Sequence, residues 1–383
     1  MTDPSPRPAT AAVRAGLGSD TAYHAVVPPI YLSTTYSFAD LDHRGEFDYS
    51  RSHNPTRRLL SQALADLEGG AGASVTGSGL GAITATLHAL TTVGDLVLAP
   101  HDCYGGTWRL FEAFAQAGLI HVEWADFADP AVTDVIAARE PALVWLETPS
   151  NPLLRITDIA AVAAAAHAVD AVVAADNTFL SPALQNPLAL GADVVIHSTT
   201  KYLNGHSDVV GGAVVAASAP AAEDIHWWCN TLGVTAGAFD SYLTLRGLRT
   251  LHRRVAAHCA NAAAIVAALE GHPKVAALHY PGRPGHPGHA VAARQQRGFG
   301  GMVSFDLGSE AAARAFLGRL RFFSVAESLG GVESLACHPG LMTHAAMPPD
   351  VQAAAGITPG LVRLSVGIED EHDLVADVLA ALD

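Results

Sequence analysis

The sequence predicts an α/β protein: a large domain on a mostly parallel sheet wrapped by helices, followed by a smaller C-terminal α/β domain. Three observations lead there. Between residues 70 and 216, short β-type runs alternate with alanine-rich helical stretches, the pattern of βαβ units. The residues after those runs are polar and reactive, and open parallel sheets gather ligands at the carboxyl ends of their strands. A second, shorter alternation closes the chain after a long helical stretch. At 383 residues there is length for both domains, with cores that need no disulfide.

Taken in order, residues 1–56 carry no regular pattern and read as an N-terminal arm, with 28–36 extended against another surface. Regular text starts at Asn54-Pro55-Thr56, where Thr56 is expected to cap a helix that runs to Leu67 and stops at Gly69-Gly70. Strands are expected at 73–76, 96–99, 120–124, 142–147, 171–175, 193–197 and 212–216. The longest apolar tract, 159–175, is mostly alanine and is interrupted by His167 and Asp170, so it reads as a helix and then a strand rather than a membrane span. One helical stretch from Gly237 to about Leu269 bridges a domain spanning 57–250 to one spanning 251–383. In the latter, strands are expected at 275–279, 302–307 and 361–368, and helices at 310–320 and 369–382. The Pro- and Gly-rich stretch 280–288 is a loop.

Composition narrows the function classes. A net charge of -15 without basic clusters argues against nucleic acid as a partner. Cys103, Cys229, Cys259 and Cys337 form no C-x-x-C pair, which suits a reducing compartment. The N-terminus lacks the charged and apolar regions of a signal peptide, so the expected location is cytoplasmic. The 19 histidines are dispersed and contain no H-E-x-x-H, so no metal site is expected.

The chemistry centres on Lys201. Of 22 basic residues only Lys201 and Lys274 are lysines, so positive charge alone is supplied here by arginine. A lysine amine can lose its proton and condense with a carbonyl, which a guanidinium cannot do. Ser198 and Thr200 place two hydroxyls beside that amine, a set that suits a phosphorylated aldehyde. Gly77-Ser78-Gly79-Leu80-Gly81-Ala82 follows a strand and opens a helix, where backbone N–H groups hold phosphate. The same stretch, with Asp102 some twenty residues on, also fits a dinucleotide site of an NAD-dependent dehydrogenase. That alternative leaves Lys201 unexplained. Pyridoxal phosphate is a phosphorylated aldehyde whose ring nitrogen needs an anion, and Asp176, at the preceding strand end, can supply it. Tyr104 can stack on the ring. Arg363 interrupts an apolar strand and calls for an anion such as an α-carboxylate.

The stretches Asp176-Asn177-Thr178-Phe179, 198–208 and 326–334 resemble the pyridoxal-phosphate enzymes of cysteine and methionine metabolism, the trans-sulfuration family. The resemblance covers nearly the whole chain, and 99–106 with 227–243 resemble its bacterial members that make cystathionine by γ-replacement. It implies an aspartate aminotransferase-like fold (fold type I of the pyridoxal-phosphate enzymes) and a homotetramer, a dimer of dimers. It implies that Lys201 condenses with the cofactor aldehyde, Asp176 pairs with the ring nitrogen and Tyr104 stacks on the ring. Gly79, Leu80, Ser198 and Thr200 are then phosphate ligands, joined from the neighbouring subunit by Tyr49 and Arg51. Asn151 lies near the cofactor and the substrate, and Ser328 with Arg363 takes the substrate carboxylate. Asp48, Arg109 and Glu327 face the substrate's distal end.

The implied reaction is cystathionine γ-synthesis, in which cysteine replaces the acyl group of an O-acyl-L-homoserine in methionine biosynthesis. Cystathionine γ-lyase and O-acylhomoserine sulfhydrylase are the family alternatives. Succinyl-using relatives are expected to carry an arginine directly after the tyrosine-x-arginine motif, where this chain has Ser52. The resemblance therefore leaves succinyl and acetyl donors both open.

Overall fold

The computed structural model describes residues 6–383. Seven strands form the larger sheet: β1 (Gly72–Thr76), β2 (Asp95–Pro100), β3 (Ile120–Ala125), β4 (Leu143–Glu147), β5 (Val172–Asp176), β6 (Val194–His197) and β7 (Gly212–Ala216). Their order is β1-β7-β6-β5-β4-β2-β3. Neighbours from β6 to β3 run parallel, and β7 lies antiparallel to both β1 and β6. Every expected strand of this sheet is present within a residue or two.

These strands read as apolar runs because the sheet is covered on both faces. Val97, Leu143, Trp145, Ala174 and Ile196 pack to one side with helix Gly79–Leu90. Leu98, Val144, Leu146, Val173 and Ala175, the alternate residues, pack to the other with helix Ile159–His167. Each fully buried side chain of this kind contributes about 1.5–3 kcal/mol. The tract 159–175 is thus a helix and a strand, and among the described residues no helix is long and apolar enough to cross a membrane.

A second sheet holds β8 (Ala277–His279), β9 (Met302–Asp306), β10 (Ser324–Val325), β11 (Leu335–Cys337) and β12 (Leu361–Ser365) in the order β10-β11-β12-β9-β8. It is antiparallel except for β10 with β11, and helix Glu371–Leu382 packs on it. The very short β10 and β11 carry no pattern that sequence reading detects.

Three expectations need correction. Asn54, not Thr56, caps helix Pro55–Glu68: its side chain accepts from the amides of Thr56 and Arg57. Pro55 takes the first helical position, and the Thr56 hydroxyl instead accepts from the Tyr31 amide at 2.9 Å, tying down the arm. The arm itself begins with a helix, Pro8–Arg14, whose Ala12 is buried against the core that contains Leu60 and Leu64. The bridge is two helices, Ala238–Leu248 and Leu251–Leu269, separated where the Thr250 hydroxyl bonds back to the Gly247 carbonyl at 3.1 Å. Leu251 and Val255 pack in the first core, whereas Ala262, Ile265 and Leu269 pack in the second.

Candidate active site

Since β7 is antiparallel to both β1 and β6, the carboxyl ends of β1, β2, β4, β5 and β6 share one edge. Together with the segment after β10 and with β12, they enclose a cavity of about 430 Å³. Lys201 stands in its wall, in the turn after β6 that closes with the Gly205 amide on the Lys201 carbonyl at 2.8 Å. Its Nζ donates to the Ser328 hydroxyl at 2.7 Å. Burial, assisted by the charge of Arg363 and opposed by Glu327, brings the amine down to about 8.

One end of the cavity suits a phosphate. Helix Gly79–Leu90 starts there, capped by the Ser78 hydroxyl on the Gly81 amide at 3.0 Å, and its first-turn N–H groups have no partners within the helix. Gly79, Leu80, Ser198 and Thr200 all line this end. A Cβ on Gly79 would lie 3.1 Å from Cβ of Ser198, so glycine keeps the cradle open. Asp102, the acid of the dinucleotide alternative, is buried elsewhere: it accepts from Ser150 at 2.6 Å and lies 3.8 Å from Arg155. It has no place in the cavity wall, and the dinucleotide reading loses its ribose partner.

The middle suits an aromatic ring. Asp176 accepts from the Thr178 amide at 2.9 Å, and the Thr178 hydroxyl accepts from the Ser198 amide at 2.8 Å, which links the anion to the phosphate cradle. Burial raises the Asp176 carboxyl, while its bonds from Thr178 and the charge of His197 hold it back. A cationic N–H in the cavity would hold it further. Tyr104 caps the start of helix Gly105–Gln116, and its ring lies over Gly106, where a Cβ would meet Cε1 at 2.4 Å. Its amide donates to Glu147 Oε2 at 2.8 Å. Amine, anion, aromatic face and phosphate cradle, each at its own part of one cavity, fit pyridoxal phosphate.

The far end suits an amino-acid carboxylate. Arg363 on β12 is only 2 % exposed, yet its guanidinium bonds neutral groups: Oδ1 of Asn151 at 2.7 Å and the Ser328 carbonyl at 3.1 Å. A buried cation without a counter-ion calls for an anion. Ser328 has φ 91°, the left-handed region that a non-glycine residue enters at a cost of about 1–3 kcal/mol, held here by its contacts to Lys201 and Arg363. Behind Asn151, His344 donates from Nε2 to the Asn151 carbonyl at 2.9 Å, and burial takes its imidazole down to about 3. That histidine is a neutral strut for the loop.

Glu327 also lines the cavity. Tyr49, Arg51, Asp48 and Arg109 do not. Arg51 bonds the Asn230 carbonyl at 2.8 Å and its side-chain oxygen at 2.7 Å, and Asp48 faces Arg44 at 3.4 Å. Arg109 is exposed, although its charge reaches the Tyr104 phenol, which burial raises. The cavity wall also holds Glu147, Thr178 and Thr343, to which sequence reasoning assigned no role. Glu147 and Thr178 follow the strand-end rule and were within reach of it. Thr343 sits after the short turn Pro339–Leu341 in a segment with no periodic signal.

Comparison with known proteins agrees with this geometry. The family model for Cys/Met metabolism PLP-dependent enzymes matches residues 9–383. Cystathionine gamma-synthase of Escherichia coli (strain K12) is 55% identical over 375 residues, covering 97% of this chain and 96% of that protein. Cystathionine gamma-lyase of Bacillus subtilis (strain 168) is 44% identical over 374 residues, covering 98% of each. The crystal structure of cystathionine gamma synthase from Xanthomonas oryzae pv. oryzae in complex with cystathionine superposes with a TM-score of 0.98 at 56% identity, over 99% of this chain and 98% of that one. With the cavity, its amine and its anion matched by a family model over almost the full length, this chain belongs to the pyridoxal-phosphate-dependent enzymes of cysteine and methionine metabolism.

Proposed function

We propose that the protein is a pyridoxal-phosphate-dependent cystathionine γ-synthase, replacing the acyl group of an O-acyl-L-homoserine with the sulfur of L-cysteine. One observation carries it: an amine brought down to about 8 and a buried arginine that bonds only neutral groups meet at Ser328 in the wall of one cavity. When bound, pyridoxal phosphate supplies an aldehyde that joins to an amino group and a ring that draws electrons from the adjacent carbon. Arg363, Asn151 and Ser328 hold the substrate α-carboxylate and set its α-carbon beside Nζ of Lys201. At neutral pH part of the Lys201 population is free amine, so it takes the α-proton and later returns it. The γ-carbon loses its bond to the acyl oxygen and gains one to sulfur, and the thiol proton leaves with the released acid.

The remaining roles extend this reading. Asp176 pairs with the ring nitrogen, Tyr104 stacks on the ring, and Gly79, Leu80, Ser198 and Thr200 take the phosphate. Glu327, with Arg109 and with Asp48 of the arm, reads the distal part of the substrate. Tyr49 and Arg51 complete the phosphate site of a neighbouring subunit in a homotetramer in the cytoplasm. Exposed apolar residues on the arm, Tyr23, Val26, Leu32 and Leu41, support such an assembly, since a single chain leaves these large side chains uncovered.

A second reading, γ-cleavage of cystathionine, is supported by the 44% identity to a gamma-lyase and by Ser52 at the acyl-binding place. Turnover of O-succinyl- and O-acetyl-homoserine with cysteine, measured beside cleavage of cystathionine, separates them. Efficient synthesis from either ester is expected; efficient cleavage alone would overturn the first reading.

A further inference from the structure

Helix Pro55–Glu68 ends on a carboxylate in an unfavourable place. The Glu68 side chain is 0% exposed and sits at the negative end of the helix dipole, whose last turn holds no basic residue. Three donors converge on it: Nε2 of His197 at 2.7 Å and Nδ2 of Asn177 at 3.0 Å on one oxygen, and Nδ2 of Asn186 at 3.0 Å on the other. Asn177 directly follows Asp176 at the end of β5, and His197 directly precedes Ser198 at the end of β6. A single buried carboxylate thus ties together the backbone behind the ring-nitrogen partner and behind a phosphate ligand.

We propose that Glu68 is a positioning residue for the cofactor, holding Asp176 and Ser198 in their binding geometry through Asn177 and His197. The inference rests on the roles of Asp176 and Ser198 given above. Electrostatics act in the same direction. His197 draws the Asp176 carboxyl toward its ionised form, against burial. Nδ1 of His197 is buried without a partner, so its bond to Glu68 is what orients the ring. Arg297 stands behind the cluster, bonding Oδ1 of Asn186 at 2.7 Å, and supplies the nearby positive charge that faces Glu68.

The test follows cofactor release from purified holoenzymes after dilution, read as loss of visible absorbance, with thermal unfolding measured separately. Glu68→Gln is expected to release cofactor about tenfold faster, the lower range for loss of one charge-assisted hydrogen bond. His197→Gln is expected to do the same and serves alone if Glu68→Gln fails to fold. The double variant should be no faster than the faster single one, because both act through one contact. Asn186→Ala, which touches Glu68 but neither strand end, should lower the melting temperature without faster release. Wild-type release from Glu68→Gln, alongside fast release from Asp176→Asn, overturns the inference. Additivity in the double variant overturns it too, as does Asn186→Ala releasing as fast as Glu68→Gln. Wild-type release from Asp176→Asn would instead remove the ring-nitrogen role itself.

Discussion

The chain's two lysines do opposite work. Lys274 donates to the carbonyls of Leu382 and Asp383, closing the C-terminal end of the last helix, where a positive charge is favourable. Lys201 is buried against a hydroxyl and held below the usual lysine range. Replacing it with alanine is expected to cut turnover by about 10²–10⁴-fold, measured by steady-state kinetics on folded protein. The same burial carries a stability consequence in cofactor-free protein. The folded state releases its proton at about 8, whereas the unfolded lysine keeps its proton to 10.5. Below pH 8 the cost of burying the charge is therefore full, of order 3 kcal/mol, and it is relieved as pH rises toward 10.5. Cofactor-free Lys201→Met should be more stable than the wild type at pH 7, by a margin that shrinks toward pH 10. Urea unfolding of both proteins measures it, and a margin independent of pH would contradict the assignment. On the other side of Ser328, Arg363→Lys keeps the charge but loses the planar fork that meets a carboxylate on two sides. Its KM for the amino acid should rise about 10–100-fold, the weight of one charge-assisted contact.

Two elements make these positions rigid. Helix Pro55–Glu68 is started by Asn54, which accepts two amides and also donates to the Tyr31 carbonyl at 2.9 Å, so one side chain fixes both the helix and the arm. Asn54→Ala should cost about 1–2 kcal/mol in urea unfolding. Helix Leu251–Leu269 holds the lysine turn from behind. Its Arg254 is buried, brought down to about 10, and donates to the carbonyls of Tyr202 and Gly247, each at 2.8 Å. Arg254→Met leaves the Tyr202 carbonyl unpaired in the interior, at about 1–3 kcal/mol, while the Gly247 carbonyl keeps its bonds from the Thr250 amide and hydroxyl. A destabilisation of about 1–3 kcal/mol is expected, with loosened cofactor binding because the Tyr202 carbonyl adjoins Lys201.

At the scale of the whole molecule, the arm is the part that a single chain does not account for. Leu41 is 98% exposed and Leu32 73%, while Arg51 bonds Asn230 and does not line its own cavity. If each cavity is completed by a neighbour's arm, two inactive variants can repair one another. Arg51→Ala keeps Lys201, and Lys201→Ala keeps Arg51. Co-expressed, they should recover about a quarter of wild-type activity, because half of randomly formed dimers are mixed and each mixed dimer has one intact site of two. No recovery, with mixed dimers present, would place Arg51 outside a shared site.

The sequence by itself determined the element types of the large sheet and most of the cavity's chemistry. Strands covered on both faces read as apolar runs, so β4 and β5 announced themselves, and the polar residues at their carboxyl ends, Glu147 and Asp176, stood where such sheets gather ligands. Lys201, Asp176 and Arg363 were legible because an amine among arginines, a strand-end acid and a charge inside an apolar strand each demand a chemical reason. Tertiary structure alone gave the Thr56 hydroxyl its partner, the Tyr31 amide 25 residues away, whereas a helix start at Asn54-Pro55 follows a local rule. It alone brought Thr343 to the cavity, and gave Glu68 its three donors from the ends of β5 and β6 and from the segment between them. Local periodicity follows from the burial of each element's own face, whereas these contacts arise only once distant elements have packed.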